Sequence, residues 1–581
     1  MEHNKDAVDV NAQAKTAILN FLSELNVSKI IYVDDRCSIA ELKEPFIGTL
    51  KSLYSSKRGD LDFVNWDLPY SIFENEITDT WEDANEERKR QLFFEVLKCD
   101  NKSEHLENSA APLKLKEILN DKIDLLSPTQ WVSQKDVIIR ELNINSKVLF
   151  LFDIDFKFAP LMDGRNGKDL VSDLLSNTYI QDFVYCGIFS HLFSIEEEYA
   201  KRNAYCKSLS LDKNKFYTIS KKRFQDNLYL PGLAEGIKNT LLINEVELLK
   251  TKTATIIKKS FRLTLRDIKE LTPETFNHII QKSSEKEGIW EMDTLLRLTN
   301  IINSDKALNS LLPEHQRLIV NQSLSKIRNL EKNETGSKTP YSKIQIQKIR
   351  EKELYFKKEI LNQLHFPICN GDIFLINNKE YILLGQPCNL ALRNNGKRSR
   401  DYDIGFLVEL KSKTKEDINK CNGYFERIEG IYLESDKLRI ADLPSFQTVS
   451  LIPLDLTAFN IDGIAKINLS TIEIETLTFQ ESWKKRYKKL HKEFTNYKKG
   501  INTFLKPENS NNIYLKELVL YGDLFKGYHI NNNNILTNTS NELVFKIQRI
   551  SHYKQPYSTD LLQKFMQYLS RNAFDHDYSK D

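Results

Sequence analysis

The strongest constraint on this chain is a series of short apolar runs, each of strand length and each followed by an amphipathic helical stretch. They are Lys29-IIYV-Asp34, Ile123-DLLS, Val148-LFLF-Asp153, Phe183-VYCGIF-Ser190 and Lys215-FYTI-Ser220. Strands that are apolar almost throughout and alternate with helices are buried on both faces, which is the pattern of a parallel sheet. The expected fold class for residues 1–225 is therefore α/β. From about Leu228 to Lys332 helical periodicity replaces the alternation, so 226–335 reads as a helical connector. Glu331-KNETGSKTPYSK has turn formers and no apolar period, which places a boundary near 335.

The remainder divides into 336–480, a helix (Tyr341 to Leu364) with a β-rich α+β module, and 481–581, a basic helix and a C-terminal docking segment. Asp372-IFLINNKEYILLG reads as a hairpin turning at Asn377-Asn378. With 581 residues several domains are expected, and 40% hydrophobic with 28% charged residues suits globular ones. Eighty-three basic against 81 acidic residues leave a net charge of +2, so net charge gives no support to a nucleic-acid or anionic-membrane partner. Cys37, Cys99, Cys186, Cys206, Cys369, Cys388 and Cys421 contain no C-x-x-C pair, which excludes a zinc ribbon. The first 29 residues lack the apolar core of a secretory signal, and no run reaches the ~18 apolar residues of a membrane helix. A cytoplasmic protein without a membrane partner is expected.

In an open parallel sheet, ligands gather beyond the carboxyl ends of the strands. Asp34 and Asp35 end the first run, Asp153 the third with Asp155 two further on, Ser190 the fourth, and Ser220-Lys221 the fifth. Clustered carboxylates repel, and an oxygen-seeking cation such as Mg²⁺ relieves that repulsion. An aspartate beside such a cation and a lysine is suited to attack phosphorus, giving an aspartyl phosphate. The plainer account is that strand-end carboxylates cap turns and helices, as Asp34 alone would.

This order of an acidic pair, an aspartate, a hydroxyl and a lysine resembles the receiver domain of two-component response regulators. Asp153-IDFKFAPLMDGRNGKDLVSDLL is similar to the receiver segment that carries the phospho-acceptor, with Pro160, Gly164 or Gly167, Leu174 and Leu175 in the matching places. The resemblance implies a flavodoxin-like parallel sheet. It implies that Asp34, Asp35 and Asp153 hold Mg²⁺, that Asp153 accepts the phosphoryl group, that Ser190 senses it and that Lys221 pairs with it. Lys222 is an alternative occupant of the lysine role. Asp153 stands 118 positions after Asp35, so an insertion at about 45–120 is expected. Asp153-Ile-Asp155 is also similar to the opening motif of haloacid-dehalogenase phosphatases, whose acidic pair comes last instead of first.

Elsewhere, Trp483, Tyr487, Leu490, Phe494 and Tyr497 fall on one helical face, with Lys484, Lys485, Arg486, Lys488, Lys489 and Lys492 on the remaining surface. A buried aromatic stripe with solvated cations is expected. Lys397-Arg398-Ser399-Arg400 reads as a mobile basic loop able to contact phosphates. The segment opening at Asn370 is faintly similar to PemK-type toxin barrels; Cys388 lacks an apparent base and is expected to be a small buried hydrophobe. Ser570-RNAFDHDY reads as terminal docking.

The expected function is a cytoplasmic signalling protein: a receiver-like pocket controls a C-terminal interaction module, as a phospho-acceptor rather than a turnover enzyme, with a histidine-kinase-like or ATPase protein as partner. Such long multidomain chains are similar to those of prokaryotic conflict or anti-phage defence systems. The alternatives are a C-terminal nucleic-acid-binding or RNA-cleaving effector regulated by the front half, and a scaffold with a vestigial pocket.

Overall fold

The computed structural model describes residues 10–55, 61–99, 115–116, 118–156, 163–212, 214–224, 229–337, 339, 341–398, 403–420, 425–428, 437–470, 480–504, 536–538 and 541–570. The chain forms two compact units, Met1–Phe261 with Lys306–Tyr341, and Arg262–Asp305 with Ser342–Asp581.

In the first unit the five apolar runs become five strands: β1 (Val27–Val33), β2 (Ile123–Leu126), β3 (Lys147–Phe152), β4 (Val184–Ser190) and β5 (Phe216–Ser220). All neighbours pair in parallel, in the order β2-β1-β3-β4-β5. The helices of this unit include α1 (Val10–Glu24), α2 (Lys43–Tyr54), α3 (Tyr70–Asp83), α4 (Glu86–Cys99), α5 (Pro128–Glu141), α6 (Gly167–Ser176), α7 (Glu198–Ser208) and the start of α8 (Tyr229–Lys269).

Because a strand alternates its side chains, Ile30, Tyr32, Leu149 and Leu151 face one layer, with Phe21 of α1 and Leu233, Ile237 and Leu241 of α8. Ile31, Val33, Phe150 and Phe152 face the other, with Trp131 of α5 and Leu170 and Leu174 of α6. Both α5 and α6 begin in capping boxes, Ser127 with Gln130 and Asn166 with Asp169, which satisfy backbone N–H groups of the first turn. Between β1 and β2, helices α2, α3 and α4 build a core of their own from Phe46, Leu50, Phe73, Trp81 and Phe93. Further helices follow, among them α9 (Glu291–Asn309) and α10 (Glu314–Lys332). The stretch 226–335 thus divides between the units: α8 and Leu330 of α10 enter the core beside the parallel sheet, whereas 262–305 belongs to the second unit.

The second unit is built on an antiparallel sheet of β6 (Tyr355–Lys357), β7 (Asp372–Ile376), β8 (Lys379–Leu384), β9 (Ile404–Thr414), β10 (Phe425–Arg427), β11 (Lys437–Ser450), β12 (Ile464–Asn468), β13 (Leu536–Asn538) and β14 (Glu542–Tyr553). Its main path is β10-β11-β9-β8-β7-β14-β12, with β6 and β13 also on β14. Asn377 and Asn378 both take left-handed φ angles of 50° and 64°, as the expected two-residue hairpin turn between β7 and β8 requires.

Its helices include α11 (Lys343–Leu354), α12 (Lys358–Gln363), α13 (Leu451–Ala458), α14 (Glu481–Phe504) and α15 (Tyr557–Leu569). The single helix expected from Tyr341 to Leu364 is thus interrupted by β6, whose backbone pairs with the end of β14.

Trp483, Tyr487, Leu490 and Phe494 of α14 are buried as expected, packed with Phe459 and Phe545. Arg486 departs from the solvated role assigned to it. It is 1% exposed and held by Asp455 and Asp403, because an arginine on the buried side of the helix meets two carboxylates there. Arg398 is likewise buried on Asp455 and Asp403 and is not part of a mobile phosphate-contacting loop. Ser399, Arg400, Pro160 and the stretch after Ser570 lie outside the described residues. Among the described residues, no helix is long and apolar enough to cross a membrane.

Candidate functional site

β1 and β3 lie side by side with Val33 opposite Phe152, so the residues that follow them emerge together, and the Asp153 N–H donates to the Val33 carbonyl at 2.9 Å. β4 and β5 end in register at Ser190 and Ser220, after which the chain turns into a short 3-10 segment beginning with Lys221. The Lys221 ammonium closes the gap between the strand ends. Its Nζ lies 2.6 Å from Asp34 Oδ2 and 2.7 Å from Asp153 Oδ2, and all three residues are buried. The Tyr32 hydroxyl also donates to Asp34 Oδ2, and the Arg36 N–H donates to Asp34 Oδ1 at 2.9 Å. The Ile154 N–H donates to Asp153 Oδ1 at 2.8 Å. The ammonium also faces the rings of Tyr32 and Phe189, each centroid 5.8 Å away.

These contacts split the two carboxylates electrostatically. Burial pushes the Asp34 carboxyl up, but Lys221, the Tyr32 hydroxyl and the Arg36 N–H outweigh it and hold the group well below the usual carboxylate range. For Asp153 burial wins over Lys221, and the Asp34 charge adds to it, so its carboxyl is raised. Burial would lower Lys221, yet the charges of Asp153 and Asp34 leave it raised and protonated. Asp34 is thus the fixed counter-charge, and Asp153 the carboxyl whose charge the fold stabilises least.

Asp35 is buried next to Asp34 in the same 3-10 turn. Ser190 is buried at the end of β4, its Oγ 3.5 Å from the Leu192 N–H. Of the two lysines that the sequence left open, Lys222 is exposed and Lys221 is buried between the carboxylates. Asp155 is half-buried, whereas Lys221 forms ion pairs with Asp34 and Asp153. Gly167, one of the two glycines matched to the receiver segment, is pressed against the backbone of Asp153: a Cβ there would lie 1.6 Å from the Asp153 carbonyl oxygen. Its N–H donates to the Ile154 carbonyl.

One buried network had no sequence signal. Glu198 of α7 accepts from the Ser220 N–H at 2.8 Å and from Arg223 at 2.7 and 2.6 Å, and Arg223 reaches the Thr339 hydroxyl at 3.1 Å. A glutamate and an arginine 25 positions apart look in sequence like any solvated pair.

The residues that the receiver resemblance assigns to Mg²⁺ are oxygen donors, but they are not, among the described residues, a group of three whose ligand atoms all lie within 4.8 Å of one another. Asp34, Asp35 and Asp153 offer oxygens only, as Mg²⁺ prefers, and Asp34 and Asp153 are bridged by the Lys221 ammonium. In the second unit Cys388, expected to be buried, is exposed at a short helical turn, its sulfur near the Gln386 and Asn389 side chains at 3.9 and 3.8 Å. No family model, curated protein or solved structure matches the chain.

Proposed function

We propose that the first unit is a flavodoxin-like receiver domain in which Asp153 accepts a phosphoryl group. The chain would then be a cytoplasmic signalling protein whose second unit is the interaction module. The reading is carried by one observation, the buried Lys221 ammonium bridging Asp34 and Asp153 across the carboxyl edge of the sheet. The strand order 2-1-3-4-5, which flavodoxin-like sheets share, supports it.

In this reading an Asp153 carboxylate oxygen attacks phosphorus, the new O–P bond forms as the bond to the donor's leaving group breaks, and Asp153 becomes an acyl phosphate. Lys221 exchanges its Asp153 oxygen for a phosphoryl oxygen and stays paired with Asp34. Ser190, at the end of the adjacent strand, is the hydroxyl that registers the new group. Asp34, Asp35 and Asp153 would hold Mg²⁺, which neutralises the equatorial oxygens in the loose transition state. A histidine-kinase-like or ATPase partner is the proposed source of the phosphoryl group, and anti-phage defence the proposed setting.

Incubation with acetyl phosphate and Mg²⁺, followed by intact mass spectrometry, tests this. One phosphoryl adduct is expected on the native chain, none on Asp153→Asn, and an undiminished one on Asp155→Asn. No adduct on a folded native chain, or one that persists in Asp153→Asn, overturns the assignment. Loss on Asp155→Asn would favour the dehalogenase-like chemistry instead.

A further inference from the structure

In the second unit, β14 runs antiparallel to β7 with His552 opposite Asp372, and Cys369 lies three residues before Asp372 on the loop that enters β7. We propose that Cys369, Asp372 and His552 form a three-ligand site for a zinc-type divalent cation, with the fourth position open to water. Among the described residues this is the set of three metal-ligating side chains whose ligand atoms all lie within 4.8 Å of one another. Cys369 Sγ is 3.5 Å from His552 Nδ1 and 3.8 Å from Asp372 Oδ1, and His552 Nδ1 is 2.9 Å from Asp372 Oδ1. Metal–sulfur bonds of about 2.3 Å and metal–nitrogen or –oxygen bonds of about 2.0–2.2 Å give tetrahedral edges of roughly 3.3–3.6 Å. The three atoms already stand near those separations, and a small turn of the carboxylate completes the face.

The ligands are held in place independently of any ion. Arg549 donates to the Phe366 and Pro367 carbonyls and to Asp372 at 2.9 and 3.0 Å, which ties the loop to the carboxylate. The Cys369 N–H donates to Asp372 Oδ2 at 2.9 Å, and Asn370 anchors the loop to the Ser558 carbonyl at 2.9 Å. Gly371 takes a left-handed φ of 99°, and a Cβ there would meet the Tyr553 carbonyl oxygen at 2.3 Å, so the loop lies flat against β14. Outer hydrogen bonds of this kind orient metal ligands.

Thiolate, imidazole and carboxylate together favour zinc or cobalt over magnesium or calcium. A thiolate and a carboxylate against one guanidinium leave one net negative charge to meet the cation. Asp372 and His552 are buried while Cys369 is partly exposed, which puts the free vertex on the sulfur's side. The competing account is a buried Asp372–Arg549 ion pair with a thiol and an imidazole beside it, and it predicts no metal. The proposal stands apart from the phospho-acceptor pocket, whose donors are oxygens alone.

The test uses the full chain freed of metal by a chelator. Titration with Co²⁺ is expected to give a thiolate-to-cobalt charge-transfer band that saturates at one ion per chain. Zn²⁺ should displace the cobalt and protect Cys369, but not Cys388, from iodoacetamide, read by peptide mass. Cys369→Ser should abolish the band and weaken Zn²⁺ binding at least tenfold, since loss of even an outer hydrogen-bond partner of a ligand costs roughly 10- to 100-fold. Cys388→Ser should leave both unchanged. Absence of the band in the native chain, its survival in Cys369→Ser, or equal alkylation of Cys369 with and without Zn²⁺ each overturns the site. Because the serine variant keeps Asp372 and Arg549 paired, loss of folding does not stand in for loss of metal.

Discussion

At the scale of single residues, Lys221 is the counter-charge on which two buried carboxylates depend. Replacing it by methionine leaves Asp34 and Asp153 buried without a cation, a change that costs roughly 3–5 kcal/mol in comparable sites. Urea unfolding of Lys221→Met should show that loss, and Mg²⁺ should restore more stability to this variant than to the native chain. The two carboxylates should then differ. Asp34 is held ionised by its surroundings whereas burial raises Asp153, so Asp34→Asn is expected to destabilise the fold more than Asp153→Asn.

In the second unit, burial raises the Asp403 carboxyl but Arg486 and Arg398 outweigh it, so its folded pKa lies below the unfolded one. The stability that it contributes is complete above the unfolded value of about 3.9 and drains away as pH falls through the folded value. Acid unfolding of Asp403→Asn followed by circular dichroism should therefore start from a lower neutral plateau and fall less steeply below about pH 4 than that of the native chain.

Two glycines at the scale of elements make opposite demands. Gly48 sits exposed inside α2 with open space around it, and Gly48→Ala should stabilise by about 0.5–1 kcal/mol through the reduced freedom of the unfolded chain. Gly167 opens α6 against the backbone of Asp153. Gly167→Ala must push the helix and the Asp153 backbone apart, with a loss on the order of 3 kcal/mol or more. Thermal melts of the pair give the signs. The strands and the aromatic face of α14 were legible in sequence because each is a local apolar pattern. The break at β6 was not, because it depends on pairing with a strand almost two hundred positions away.

For the whole molecule, each unit draws on two separated stretches of chain. Residues 262–305 supply the Gly288 carbonyl, which accepts from the indole N–H of Trp483 at 3.1 Å, and Gly288 lies against the Leu392 backbone. A fragment of residues 342–581 should therefore show a red-shifted tryptophan emission and a lower melting temperature than one of residues 262–581. Equal stability of the two fragments would show that 262–305 is dispensable to the unit.

The sequence by itself determined the five parallel strands and the polar residue at the end of each, because every one of those residues is covalently next to the apolar run that delivers it. Its order of chemical groups also pointed to Asp34, Asp153 and Lys221 as one constellation. Only the tertiary structure decided that Lys221 and not Lys222 turns inward, that Arg398 and Arg486 are buried on shared aspartates, and that Cys369 meets His552 from 183 positions away. Such choices turn on burial and on contacts between distant segments. A local pattern of residue types carries no record of which charge the folded chain will leave in water.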